Sequence, residues 1–295
     1  MLRLLGAASG LAAAALVYTT RVEPRWLELT ELDVPLPRLP HALDGLTVLH
    51  LSDFHAQPGQ PWHHRLLERA AAELLPADLV CLTGDFGERP DLAPIAVEAL
   101  RPARGRLGTF GVLGNHDLHP QRPAYERAPD RFSPDVGFRV AALLEASGVT
   151  VLENASVRLC VNGAPLWIVG VGDPHTFYDD AWRAYAGVPD DEPSIFLAHS
   201  WEATPLAAER GAVLALAGHS HGGQVSPPFM PSPVHNCHRP PPRNGGLSSV
   251  GETALYISRG LGAAYPVRFL TRPQAVKLTL RSALSSDARR PGGGP

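Results

Sequence analysis

Short apolar runs in this chain end abruptly in clusters of glycine with aspartate, asparagine or histidine. Val48-Leu49-His50-Leu51 leads into Asp53-Phe54-His55, and Leu79-Val80-Cys81-Leu82 into Gly84-Asp85. Phe110-Gly111-Val112-Leu113 leads into Gly114-Asn115-His116-Asp117, and Val213-Leu214-Ala215-Leu216-Ala217 into Gly218-His219-Ser220-His221-Gly222-Gly223-Gln224. Apolar runs of this length bounded by glycine read as buried strands of an α/β sheet. Polar residues at the carboxyl ends of such strands converge on one edge, where open α/β sheets bind ligands. That edge would gather carboxylate, imidazole and amide groups, a donor set suited to two divalent metals.

Helix and strand signals alternate along the rest of the chain. Leu66, Leu67, Ala70, Ala71, Leu74 and Leu75 share one face of a helix from His63 to Leu75, stopped by Pro76. Leu92 to Leu100 and Val136 to Ala146 are further helices, the second ended by Gly148. Val157 to Val161, Leu166 to Val171, Ile195 to Ala198, Leu255 to Ser258 and Ala275 to Leu280 read as strands, with Asn162-Gly163 a hairpin turn between the first two. Ala124 to Asp135 and the proline-rich Ser226 to Gly246 read as loops. The second begins at the Gly-His-Ser-His motif and is expected to wall the substrate pocket, with an ordinary mobile insertion as the competing reading.

At 295 residues, with no break in composition, the chain suits one large α/β domain. A formal charge of −3 gives no electrostatic basis for nucleic-acid binding. Cys81 and Cys160 read as small buried hydrophobes; Cys237 shares a loop with His235 and His238, where a third metal site is conceivable but further ligands are lacking. His50 reads as a core residue, and His175 ends a strand without an assigned role.

The amino terminus is a separate matter. Leu4 to Thr20 carries no charge and is rich in leucine and alanine behind Arg3. It is short beside the roughly 20 apolar residues of a spanning helix, and it fits a signal-peptide core as well. No small-x-small cleavage site follows, so residues 1–20 are taken as an uncleaved membrane anchor, with 21–44 a proline-punctuated connector, 45–282 the domain and 283–295 a disordered tail. The chain is expected at a membrane, the bacterial inner membrane in the reading adopted. Arg3 against Arg21 and Arg25 leaves its orientation open.

In their order, Asp-x-His, Gly-Asp, Gly-Asn-His-Asp and Gly-His-x-His resemble the motifs of the calcineurin-like metallophosphoesterases. Gly222-Gly223-Gln224 and Leu255-Tyr256-Ile257-Ser258-Arg259-Gly260-Leu261-Gly262 are similar to the bacterial membrane-associated branch, the type with a transmembrane segment and a metallophosphoesterase domain. The resemblance covers most of the chain and implies an α/β fold, a four-layer α/β/β/α sandwich with two packed mixed sheets. It implies a hydrolase with two divalent metal ions, manganese, iron or zinc, about 3.5–4 Å apart and bridged by a hydroxide. By the family's pattern Asp53, His55 and His221 would hold one ion, Asn115, His199 and His219 the other, and Asp85 would bridge them. Relatives often carry proline two residues after the histidine that His199 matches; Trp201 stands there. His116 would meet the phosphate or protonate the leaving oxygen, with Asp117 bonded to its other nitrogen. Asn115, His116 and Arg259 are the candidate substrate contacts.

The implied substrate is a phosphoester small molecule or a lipid-linked one, since some relatives cleave the pyrophosphate of UDP-2,3-diacylglucosamine in lipid A synthesis. Each residue also has a structural reading: Asp53 and Asp85 as turn caps, His219 and His221 as one face of a surface strand, Arg259 as a strand-end pairing residue. The rival function is a non-catalytic metal-binding scaffold with a phosphoesterase fold; the presence of His116 and every expected ligand position argues against it. A nuclease would call for a basic groove, and none is evident.

Overall fold

The computed structural model describes residues 2–59, 62–118, 134–227, 232, 235–263, 265 and 267–282. Two six-stranded sheets form the centre. The first has the order β1 (Glu28–Leu36), β12 (Gln274–Ser282), β2 (Thr47–Leu51), β3 (Leu79–Thr83), β4 (Gly108–Val112), β5 (Thr150–Val151). The second has the order β10 (Gly246–Val250), β11 (Thr253–Ile257), β9 (Leu214–Ala217), β8 (Ser194–Leu197), β7 (Ala164–Gly170), β6 (Ala155–Val161). Both are mixed: β2, β3, β4 and β5 run parallel, as do β7, β8, β9 and β11, while β12 against β2, β10 against β11 and β6 against β7 are antiparallel.

Side-chain alternation in the central strands distributes one sequence over two cores. Val48, Leu79, Cys81, Phe110 and Val112 face the second sheet and meet Leu166, Ile168, Ile195, Leu197, Leu214 and Leu216. Leu49, Leu51, Val80 and Leu82 face the other way, against helices α2 (Trp62–Leu74), α3 (Ala93–Ala99) and α5 (Pro134–Ala146). The outer face of the second sheet, with Val169, Phe196, Ala215 and Leu255, is covered around α6 (Ala181–Ala184) and α7 (Thr204–Glu209). The layers are therefore helix, sheet, sheet, helix. A one-turn helix α4 (Asn115–Leu118) follows β4, and α1 (Leu2–Val17) opens the chain.

The expected helices and strands appear with their ends shifted by at most two residues. Asn162 and Gly163 both take positive φ, 52° and 81°, the geometry of a type I′ hairpin. His50 is fully buried and bonds Thr83 Oγ1 at 2.9 Å, so it is a core residue as expected.

The structure departs from the sequence reading in several places. Residues 28–36, read as connector, form edge strand β1, parallel to β12 along its whole length. Val34 and Leu36 face the core, Glu31 and Asp33 face outward and pair with Lys277 and Arg281, and Pro35 is tolerated because an edge strand can spare an amide donor. Cys160 is exposed, since β6 lies at the rim of its sheet. Among the described residues no helix is long and apolar enough to cross a membrane; α1 has 16 residues, about 24 Å at 1.5 Å per residue. Its end leads without a free connector into the domain: Arg268 N–H donates to Thr19 O at 2.9 Å, and Thr271 N–H to the buried Glu23 carboxylate at 2.5 Å. The loop at 124–135 lies outside the described residues except where its end opens α5, and so does the tail at 283–295.

Candidate metal centre

Parallel β2, β3 and β4 point their carboxyl ends the same way, and those ends meet the corresponding ends of β8 and β9. The Asp53 carboxylate accepts the His219 N–H at 3.1 Å, which joins the two sheets at their common edge. Gly218 permits this approach: a Cβ there would lie 2.0 Å from Ser52 Oγ and 2.2 Å from Asp53 Oδ2.

The expected ligands converge in two groups whose donor atoms lie within 4.8 Å of one another, Asp53–His55–His221 and Asp85–His199–His219. Hydrogen bonds to outer acceptors fix which ring nitrogen is left bare. His55 Nδ1–H donates to Glu88 Oε2 at 2.8 Å, His199 Nδ1–H to Thr83 O at 2.7 Å, and His219 Nε2–H to Asn236 O at 2.8 Å. The bare nitrogens then face one another: His55 Nε2 and His221 Nε2 are 3.2 Å apart, His199 Nε2 and His219 Nδ1 3.1 Å apart. Asp53 Oδ1 is 3.5 Å from His221 Nε2. Donors around one cation at about 2.1 Å sit about 3.0–3.4 Å apart, so these spacings are those of shared coordination.

Asp85 Oδ2 lies between the groups, 3.4 Å from His55 Nε2 and 3.3 Å from His199 Nε2. Its second oxygen accepts the His116 N–H at 2.9 Å. Asn115 Oδ1 is buried with no hydrogen-bond partner, an acceptor that a cation would satisfy. Burial alone would raise the Asp85 carboxyl, but the charges of His199 and His116 hold it well below its ordinary value. His199 moves the opposite way: burial opposes its charge, yet Asp85 raises it well above the usual imidazole. The converging carboxylates, bare imidazole nitrogens and unpartnered Asn115 oxygen fit a pair of divalent cations.

His116 is buried beside this pair, its ring edge-on to His55 with centroids 4.7 Å apart. Its Nδ1–H donates to the Glu88 carbonyl at 2.9 Å, not to Asp117 as expected. The Asp117 carboxylate instead accepts the N–H groups of Asp85 (2.8 Å), Phe86 (2.9 Å) and Gly114 (2.9 Å), tying two ligand-bearing loops together. Burial and the charge of Asp85 push its carboxyl up to about 7. Arg259, a candidate phosphate contact, pairs with Glu28 of β1. The described part of the proline-rich loop does line the site, through Asn236 O on His219.

Three contributions escaped the sequence. Glu88 orients both His55 and His116, and its only signal is an acid three residues after Asp85. Arg268 is fully buried and donates to the carbonyls of Arg259, Gly260, Gly262 and Thr271, which holds the Ser258–Gly262 segment in place. That segment bonds the Ser52–Asp53 turn through Leu261 N–H and Gly262 N–H, and a Cβ on Gly262 would lie 1.9 Å from Phe54 O. His175, Glu202 and His238 form a further cluster beside His219.

A family profile described as calcineurin-like phosphoesterase matches residues 46–223, a span that holds every expected ligand. The chain belongs to this family. It is accordingly an enzyme, a hydrolase of phosphoric ester bonds, and the scaffold alternative is set aside. It is 28% identical over 293 residues to the uncharacterized metallophosphoesterase YkuE of Bacillus subtilis, covering 94% of this chain and 96% of that protein. It is 31% identical to the bovine (Bos taurus) transmembrane protein with metallophosphoesterase domain, over 86% of this chain and 57% of that protein. It is 26% identical to UDP-2,3-diacylglucosamine pyrophosphatase LpxG of Chlamydia muridarum, over 88% and 90%. Among solved structures, phosphopantetheinyl hydrolase PptH of Mycobacterium tuberculosis aligns at 15% identity over 76% of this chain and 91% of that one, with a TM-score of 0.45.

Proposed function

We propose that this phosphoesterase cleaves a phosphodiester or pyrophosphate carrying an apolar chain, at a binuclear centre. Asp53, His55 and His221 would hold one divalent cation and Asn115, His199 and His219 the other, with Asp85 placed to be shared between them. The observation that carries this reading is the position of Asp85 Oδ2, within 3.4 Å of a bare imidazole nitrogen from each group. When bound, two such cations activate water and neutralise charge on the phosphoryl oxygens. The chain's own part is to orient and to move a proton. His116, held by the Glu88 carbonyl at Nδ1, would as an imidazolium pass its Nε2 proton to the leaving oxygen.

The apolar chain is inferred from a cavity of about 560 Å³, inside the usual range of about 300–1,000 Å³ for ligand pockets. It is lined by Phe54 and Ala56, which flank His55, and by Leu67, Ile95, Ala96 and Leu261. A diacylated sugar nucleotide such as the substrate named for LpxG is one molecule with both parts. A membrane site for the enzyme is supported by α1, whose Leu11, Leu16 and Val17 are exposed. With about 24 Å of length it suits insertion into one face of a bilayer better than a full crossing of about 30 Å.

Hydrolysis of UDP-2,3-diacylglucosamine, its deacylated counterpart and a simple phosphodiester by the manganese- or zinc-loaded enzyme tests both halves. The acylated substrate is expected to have the highest kcat/KM; equal values with and without acyl chains would overturn the cavity reading. Asp85→Asn should bind at least one cation fewer than wild type and lose turnover, and unchanged occupancy with normal turnover would overturn the binuclear reading.

A further inference from the structure

We propose a third divalent-cation site, of the zinc class, formed by His175, Glu202 and His238 alongside the two sites assigned above. The three residues come from separate turns: His175 from Pro174–Thr176 after β7, Glu202 from Trp201–Ala203 after β8, and His238 from the loop after β9. Each turn leaves the same edge of the second sheet, so the topology rather than the sequence brings them together. One donor atom from each lies within 4.8 Å of the others.

The donors lie close together without an aligned ion pair between them. Glu202 Oε2 is 2.8 Å from His175 Nε2 and 3.8 Å from His238 Nδ1. The 2.8 Å contact lacks hydrogen-bond alignment, and His175 Nε2 is buried without a hydrogen-bond partner. An imidazolium held only by the carboxylate would turn its N–H toward the oxygen. The His175 and His238 rings stack at 4.4 Å and 16°, so a cation shared by both requires one ring to turn out of the stack about its own side-chain torsions. Glu202 is itself fixed: Oε1 accepts the Arg239 N–H at 2.8 Å, and Ser200 Oγ donates to Oε2 at 3.2 Å. With side-chain exposures of 7% for Glu202 and 13% for His175, the carboxylate and one imidazole are desolvated, which makes an unpaired charge there costly and a bound cation favourable.

Two histidines and one glutamate are the donor set that zinc takes in open sites, with a fourth position left for water or a substrate oxygen. The site would communicate with its neighbour directly. The His175 ring lies 4.1 Å from that of His219, and His219 Nε2–H bonds Asn236 O two residues before His238. The proposal needs the binuclear reading for this adjacency alone.

The test is metal stoichiometry of the full chain, stripped with chelator and titrated with Zn²⁺ by calorimetry and by equilibrium dialysis with elemental analysis. Wild type is expected to take one equivalent more than His238→Ala, whose residue is 40% exposed and so dispensable for folding. Glu202→Gln, which keeps the bond to Arg239, should lose the same equivalent or weaken it at least about tenfold. Equal stoichiometry and affinity in wild type and His238→Ala would overturn the site. The difference between wild type and His238→Ala is read whatever the other two sites hold, and measuring the same difference in the Asp85→Asn background separates this outcome from failure of the binuclear reading.

Discussion

Replacing Asp117 by asparagine separates its observed role from the one expected of a partner to His116. The wild-type carboxylate accepts two N–H groups at Oδ2, from Asp85 and Gly114, and one at Oδ1, from Phe86. An asparagine with its carbonyl in the Oδ2 place keeps two of these but turns an NH₂ toward the Phe86 N–H; the opposite orientation forfeits two. At least one buried amide is therefore left without an acceptor, which costs about 1–3 kcal/mol. For a domain of this size that corresponds to a fall in Tm of about 2–12 °C. Because the three amides belong to the loops of Asp85 and Asn115, cation affinity should fall as well, by about 10- to 100-fold. Thermal denaturation, metal titration and hydrolysis of phenyl phosphodiesters with leaving groups of rising pKa measure the three consequences. The ratio of wild-type to variant rates should be flat across that series at saturating metal. A normal Tm together with a ratio that climbs with leaving-group pKa would refute the argument and return Asp117 to the imidazole.

His116→Ala should keep its cations and lose about 10²- to 10⁴-fold in turnover, with the loss shrinking for acidic leaving groups such as p-nitrophenol. His50 is pushed down to about 3 by burial from 6.5, so the unfolded chain takes up its proton first, and stability falls as pH drops through 6.5 toward 3. His50→Leu leaves Thr83 its Ser52 partner and should flatten acid denaturation of the metal-free protein in that window, by at most about 5 kcal/mol. A chain beginning at Tyr18 should stay active and no longer sediment with membranes, whereas one beginning at Asp44 lacks β1 and should aggregate, exposing Val276, Leu278 and Leu280; activity in the second chain would contradict the pairing of β1 with β12.

The sequence disclosed whatever depends on neighbours in the chain. Glycine-bounded apolar runs gave β2, β3, β4 and β9, and the motif after each gave the donors that meet at their ends. It hid what depends on contacts across the fold. The alternation of Leu32, Val34 and Leu36 is that of an edge strand, yet Pro35 and Pro37 around it are the marks of a linker. Asp117 stands next to His116 in sequence, but a one-turn helix sends adjacent side chains in different directions, and the carboxylate finds amides about 31 residues away along the chain. Arg268 and Glu202 had no motif at all; an arginine spent on four backbone carbonyls is recognisable only once those carbonyls are placed.

The same division explains why the metal centre sits where it does. Asp53, His55, Asp85, His219 and His221 all have positive φ, between 43° and 64°. Each such residue costs of order 1–3 kcal/mol relative to ordinary backbone, and glycine would remove that cost while removing the donor. The conformation persists because its surroundings leave no alternative. Asp53 N–H bonds Gly84 O, Phe54 and His55 N–H both bond Asp85 O, and Gly262 N–H bonds Asp53 O, in a segment that Arg268 fixes from behind. The glycines stand where a Cβ would strike the Ser52 and Asp53 side chains, at 218, or the Phe54 backbone, at 262, and the strained positions keep aspartate and histidine. Local preference is overruled at five of the seven expected ligands, whose donor atoms face one another or His199 at 3.1 to 3.5 Å, which is the pattern expected where a fold gives up backbone comfort to hold ligands.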